Sequence, residues 1–208
     1  EEGKTVLVSG AVPGDVVNAR VKKSKSKYFE AEALEILEKS PYRVEPKCIH
    51  FGVCGGCKWQ NLSYQKQLDF KQEEVYNNIK RIGGIENFET LPILGSEQEY
   101  FYRNKMEFSF SNARWLTQYE ISSEENFGNK DALGFHIPGM WSKILDLQEC
   151  FLQEAPSNDL RLAVRNYAIK NGLDFFDVRN QEGFLRTLML RQNSQGEWMV
   201  LFQLYRGE

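Results

Sequence analysis

The chain has 208 residues, enough for one large domain or for two small ones with separate cores. Its apolar fraction of 41% and charged fraction of 26% are those of an ordinary globular protein, and no run is long enough to cross a bilayer. A net charge of −3 excludes a protein that is basic throughout, yet leaves room for the local basic patch that nucleic acids require.

The chain opens on Glu1-Glu2 and closes on Gly207-Glu208 directly after a strand-like run, so a piece of something longer is expected. A small β module comes first. Pro13-Gly14 marks a turn, one strand is expected over 16–21 and another over 28–37. Two strands cannot close a barrel, so others are expected upstream or from residues 1–10. Arg20, Lys22, Lys23, Lys25 and Lys27 lie within eight residues with no acid among them, at the loop joining these strands. Such a set can follow a phosphate backbone; the alternative is a solvated hairpin tip. Pro41 and Pro46 then bracket a linker that delivers the chain to Cys48.

After a cysteine-rich loop comes the clearest helix. Ser63 is its expected N-cap, Leu68, Gln72, Val75, Ile79 and Ile82 share one face, and Gly83-Gly84 ends it. The run “YRNKMEFSFS” alternates. Tyr102, Asn104, Met106, Phe108 and Phe110 face one way, and Arg103, Lys105, Glu107, Ser109 and Ser111 the other. Arg103 and Lys105 can meet phosphates or pair with neighbouring acids, whereas Phe108 and Phe110 read as core. A polar stretch over 122–130 reads as a hairpin loop or insertion. “LGFHIPGMWSKILDL” is a second hairpin turning at Pro138-Gly139 and leading to Cys150. A helix over 158–170, stopped by Gly172, precedes strands over 184–191 and 198–205. Residues 65–208 therefore suggest an α+β domain with an antiparallel sheet and two helices.

The segment “CIHFGVCGGC” holds Cys48, Cys54 and Cys57, and Cys150 stands 93 positions beyond the last of them. Three clustered thiols without a secretory leader make a poor disulfide framework and point to a reducing compartment, where a cysteine cluster reads first as a metal site. Several thiolates repel unless a cation neutralises them. Glycines let backbone N–H groups approach the sulfurs of an iron–sulfur cluster. Zinc accepts four thiolates equally well, and spacing alone leaves the two even. A Cys-x-x-Cys redox pair would leave Cys48 unexplained, and the spacing is not that of a radical-SAM cluster. Four unrelated buried thiols are the bland alternative. His50 reads as a loop residue bonded to backbone rather than as a ligand, and Trp59 reads as packing.

The run “CIHFGVCGGCKWQNLSYQKQLDFKQ” resembles the RNA (uracil-5-)-methyltransferases that carry a [4Fe-4S] cluster. “YRNKMEFSFS”, “LGFHIPGMWSKILDLQEC” and “GFLRTLMLRQ” resemble that family's central domain, in the same order. “AVPGDVVNARVKKSKSKYFEAEALEILEKSPYRVEPKC” resembles the second half of its N-terminal TRAM domain, a small RNA-binding β-barrel. The resemblance implies Cys48, Cys54, Cys57 and Cys150 as cluster ligands. It also implies RNA as partner, with Arg20, Lys22, Lys23, Lys25, Lys27, Arg103 and Lys105 as candidate contacts. S-adenosylmethionine, the nucleophile and the base belong to a C-terminal domain in that family, so no catalytic residue is expected in this chain. The resulting expectation is an α+β protein in three parts. These are a partial TRAM-like barrel over 1–40, a linker and cluster loop over 41–64, and an RNA-recognition domain over 65–208. It would be the inactive recognition part of a methyltransferase acting on rRNA rather than tRNA, cytoplasmic, monomeric and without a membrane partner. The competing expectations are a stand-alone zinc- or iron-sulfur-containing RNA-binding module and a ferredoxin-like electron carrier.

Overall fold

In the computed structural model, residues 3–123, 128 and 130–205 are described. They form two compact units, Glu1–Lys47 with Trp59–Glu97, and Cys48–Lys58 with Gln98–Glu208. This division cuts the chain differently from the three successive parts expected from sequence. The long helix falls in the first unit and the cysteine loop in the second. No helix among the described residues is long and apolar enough to cross a membrane.

The first unit is built on a three-stranded sheet in the order β1-β3-β2, from β1 (Thr5–Ser9), β2 (Val16–Ser24) and β3 (Tyr28–Glu38). β2 and β3 form the expected antiparallel hairpin. β1 supplies the strand sought in residues 1–10 and runs parallel to β3, with Thr5 opposite Tyr28 and Ser9 opposite Glu32. No closed barrel forms among the described residues.

Asp15 fixes the entry to β2. Its carboxylate accepts hydrogen bonds from the backbone N–H groups of Val12 (2.8 Å) and Ser40 (2.9 Å) and from the Arg43 guanidinium (2.5 and 3.1 Å). The side chain of Asp15 is 0% exposed and that of Arg43 12%. The guanidinium, outweighing burial, holds the carboxyl well below the usual range.

The expected helix is α1 (Tyr64–Asn77), continued by a π-helical turn, Asn78–Ile82. Ser63 occupies the N-cap position, but its side chain makes no capping bond. Instead its carbonyl accepts from Gln67 N–H, and its own N–H donates to Tyr42 O. Only Gly84 takes the left-handed conformation, φ 65°; Gly83 stays helical. The predicted apolar face is not buried: Val75 is 55% exposed and Ile82 82%. The 3.6-residue pattern located the helix but not a core against which to bury it.

The second unit carries a five-stranded sheet in the order β6-β5-β4-β7-β8, every neighbouring pair antiparallel. Its strands are β4 (Lys105–Ser111), β5 (Ala132–Ile137), β6 (Met140–Asp146), β7 (Leu185–Gln192) and β8 (Trp198–Leu204). The hairpin turn at Pro138-Gly139 forms as expected, with Gly139 at φ 77°. β4 alternates as predicted, and Met106, Phe108 and Phe110 are buried. It starts only at Lys105, so Tyr102 and Arg103 precede the strand. The short α2 (Gln118–Ser122) lies between β4 and β5. α3 (Ser157–Lys170) packs its Ala168, Leu160 and Val164 against the apolar face of the sheet. Most of the predicted loop over 122–130 lies outside the described residues.

Candidate functional site

The cysteine loop is wound by its own backbone. Phe51 N–H donates to Cys48 O (3.1 Å), and His50 O accepts from Val53 (3.2 Å) and Cys54 (2.9 Å). Two bonds then tie it to the rest of its unit. Gly55 N–H donates to His136 O on β5 (3.2 Å), and a Cβ at Gly55 would sit 2.6 Å from that oxygen, so the approach needs glycine. His50 Nε2 accepts from Gln148 N–H (3.1 Å), just ahead of Cys150. The imidazole is therefore neutral, its proton on Nδ1, and burial and the Arg161 charge both lower its basicity.

Cys150 is positioned by α3. Asn158 accepts from Cys150 N–H (2.9 Å) and donates to Cys150 O (3.0 Å), a two-bond clamp on the backbone of one residue. One turn on, Arg161 is 0% exposed. Its guanidinium donates to Leu147 O, to Gln148 O (3.1 Å) and to Asn158 Oδ1 (3.4 Å), and it lies over the Phe108 ring. A mid-helix arginine that reads as solvated is thus the internal brace of the Cys150 turn. The signal that could have found it is distant: a turn of exposed-looking carbonyls that has to be satisfied from inside.

All four cysteines sit in partly buried settings, and Cys54, Cys57 and Cys150 touch the core. Burial pushes the Cys54 thiol up to about 11; Gly56 N–H, donating to its sulfur at 3.3 Å, acts the other way, and Cys150, Cys57 and Cys48 raise it further. Burial also raises Cys48 and Cys150. The four thus lie in one electrostatic neighbourhood of a single unit, Cys150 included. Among the described residues, however, no three His, Cys, Asp or Glu side chains converge tightly enough to hold a single metal ion.

What the residues offer a metal group is donor chemistry and charge. Four sulfurs are available, a backbone N–H already points at Cys54, and a buried guanidinium stands near Cys150. Arg161 Nε is also the sole buried side-chain nitrogen or oxygen without a partner among the described residues. A buried positive group with an unused donor is what anionic sulfur would satisfy.

The candidate RNA residues divide between the units. In the first, Glu32 pairs with Lys22 (2.7 Å) and Arg20 (3.5 Å), and Glu30 with Lys23 (3.3 Å). The acids that sequence reading missed come from β3, across the hairpin. Lys25 and Lys27 enter no ion pair among the described residues. Trp59 is not packed away: it is 43% exposed, with Lys71 Nζ 5.6 Å from its ring centre. In the second unit, Lys105 pairs with Glu107 (2.8 Å). Arg103, Lys105 and Glu107 line a cavity of about 190 Å³ together with Gly56 of the cysteine loop and Phe135.

Residues 1–34 match the TRAM domain family. An uncharacterised RNA methyltransferase of Bacteroides thetaiotaomicron is 50% identical over 196 residues, 94% of this chain and 43% of the relative. One from Porphyromonas gingivalis is 44% identical over 212 residues, 98% of this chain and 45% of the relative. The chain is thus similar along most of its length to RNA methyltransferases. It spans less than half the length of these relatives. Among solved structures, Pyrococcus abyssi tRNA (uracil-54, C5)-methyltransferase in complex with S-adenosyl-L-homocysteine aligns with a TM-score of 0.64 and 27% identity. The alignment covers 98% of this chain and 42% of that one.

These matches correct the expectation of an inactive recognition part, and of a stand-alone zinc or iron-sulfur module. The relatives that align along 94–98% of the chain are themselves methyltransferases.

Proposed function

We propose that the protein carrying this chain methylates C5 of a uracil in RNA, with S-adenosylmethionine as donor. The observation that carries this reading is the alignment of 98% of the chain with a uracil-C5 methyltransferase holding S-adenosylhomocysteine, the demethylated form of that donor. The TRAM match and the methyltransferase relatives support RNA as substrate.

Within this reading Cys48, Cys54, Cys57 and Cys150 hold a [4Fe-4S] cluster. When bound, the cluster would supply the positive core that lets the four thiols ionise together. Methylation at C5 needs no external electrons: a nucleophile adds at C6, the methyl arrives at C5, and the C5 proton leaves as the bond from C6 to the nucleophile breaks and the C5–C6 double bond returns. The cysteines therefore act structurally, joining the 48–57 loop to the Cys150 turn and presenting Arg103 and Lys105 beside it. Cys54→Ser is expected to give a colourless protein of lower stability and weaker RNA affinity, measured by thermal melting and filter binding. Unchanged values of both would rule out the structural role.

The basic hairpin adds phosphate contacts through Lys25 and Lys27, joined by Arg20, Lys22 and Lys23 when their exposed pairs open at small cost. Changing both Lys25 and Lys27 to glutamine should reduce the slope of log affinity against log salt by about 2 and weaken different RNA sequences alike. A sequence-dependent loss would point to base contacts instead.

The activity is tested by incubating the full-length protein with S-adenosylmethionine and an RNA transcript, then digesting to nucleosides. The expected product is 5-methyluridine. Methyl groups found only on another base would overturn the reading.

A further inference from the structure

The face of the five-stranded sheet opposite α3 carries a cavity of about 260 Å³, lined wholly by residues of the second unit. Ser109, Thr187 and Gln203 are register neighbours on β4, β7 and β8 and form a polar row across its floor. Ser111 and Ser142, both buried, accept hydrogen bonds from Ala113 N–H (3.0 Å) and Arg179 (3.4 Å). Each keeps its hydroxyl hydrogen to give. His136 Nε2 lies 3.4 Å from Ser109 Oγ, so this wall offers a donor or an acceptor according to tautomer.

Two flat surfaces flank this polar interior. Trp141, 64% exposed, offers its indole to the cavity and to solvent. Arg186 stacks its guanidinium over the Phe176 ring, 5.0 Å from the centroid. Among the described residues no carboxylate lines the cavity, whereas Arg186 lines it and Arg179 reaches its Ser142. The volume lies below the ~300–1,000 Å³ of drug-sized sites, which suits one planar ring system. Unpaired RNA bases are held in this way, stacked on aromatic or guanidinium planes and hydrogen-bonded along their edges, with phosphates near positive charge.

We infer that this cavity is a binding site for a single unpaired RNA base, stacked on Trp141 or on the Arg186–Phe176 pair and read at its edge by Ser109, Ser142 and His136. The inference rests on the RNA-methyltransferase reading and adds to it an anchor for a nucleotide next to the RNA segment being handled. A base caught here fixes the register of a loop without undergoing chemistry.

The test uses full-length protein and a structured RNA transcript, with Trp141→Ala and Arg186→Gln as variants and thermal melting as a check on folding. Each variant should lose about tenfold in RNA affinity with melting unchanged. Ultraviolet cross-linking followed by mass spectrometry should attach a nucleotide to a peptide containing Trp141 or Phe176. Wild-type affinity in both variants, with no such cross-link, would overturn the base site and leave the methyltransferase reading intact. A wild-type protein that binds no RNA at all would overturn both. Tryptophan quenching by an apolar peptide and not by oligonucleotide, lost in Trp141→Ala, would reassign the cavity to a protein partner.

Discussion

Replacing Arg161 with methionine is expected to cost the second unit about 3–5 kcal/mol of stability, read from urea denaturation. The residue is fully buried in α3, and its guanidinium satisfies Leu147 O, Gln148 O and Asn158 Oδ1. Methionine fills much of the volume and stays over Phe108, so packing changes little. What remains is a turn whose inward carbonyls have lost their charged donor. Arg161→Lys should recover only part of the loss, because one ammonium cannot reach all three acceptors in the fork geometry of a guanidinium. A methionine variant as stable as the wild type would show that water satisfies this turn and that Arg161 does not brace it.

Asp15→Asn should destabilise the first unit by about 3 kcal/mol at neutral pH and flatten its acid response. Asp15 ties Val12, Ser40 and Arg43 together across the hairpin, and the amide keeps one acceptor while leaving Arg43 without its charge partner. The folded carboxyl ionises far more readily than the ~3.9 of an unfolded Asp. Its stabilisation is therefore complete above about pH 4 and is lost as pH falls toward the folded value, at up to ~1.4 kcal/mol per pH unit. Glu32, Asp69, Glu120 and Asp177 are also depressed, so the informative quantity is the difference between wild type and variant. That difference should shrink below pH 4. A constant difference from pH 7 to pH 2 would show that Asp15 acts through shape rather than charge.

Local signals carried much of the second unit. The alternation at Met106, Phe108 and Phe110, the turn at Pro138-Gly139 and the stop at Gly172 each depend on residues close in sequence. The corresponding strands, hairpin and helix form where those signals placed them. The features that sequence left hidden are long-range. Thr5 pairs with Tyr28 in a parallel register that no turn specifies. Glu30 and Glu32 temper a basic run because hairpin pairing lays them across from it. Arg161 is internal because a turn more than ten residues earlier needs donors, and helical periodicity is blind to that demand. In the other direction, α1 shows the stripe of a buried helix, yet Val75 and Ile82 stay exposed among the described residues. For the cysteines, spacing supplied the candidates. The structure adds the two clamps, His50 on Gln148 N–H and Asn158 on Cys150, that bring a distant thiol into the same neighbourhood.

The most direct measurement is the iron and acid-labile sulfide content of protein purified without oxygen, set beside that of Cys150→Ser prepared in the same way. The proposed shared centre predicts about four of each per chain in the wild type and a marked loss when Cys150 alone is changed. Bound zinc without sulfide, or a full complement of iron and sulfide retained in the Cys150→Ser protein, would contradict it.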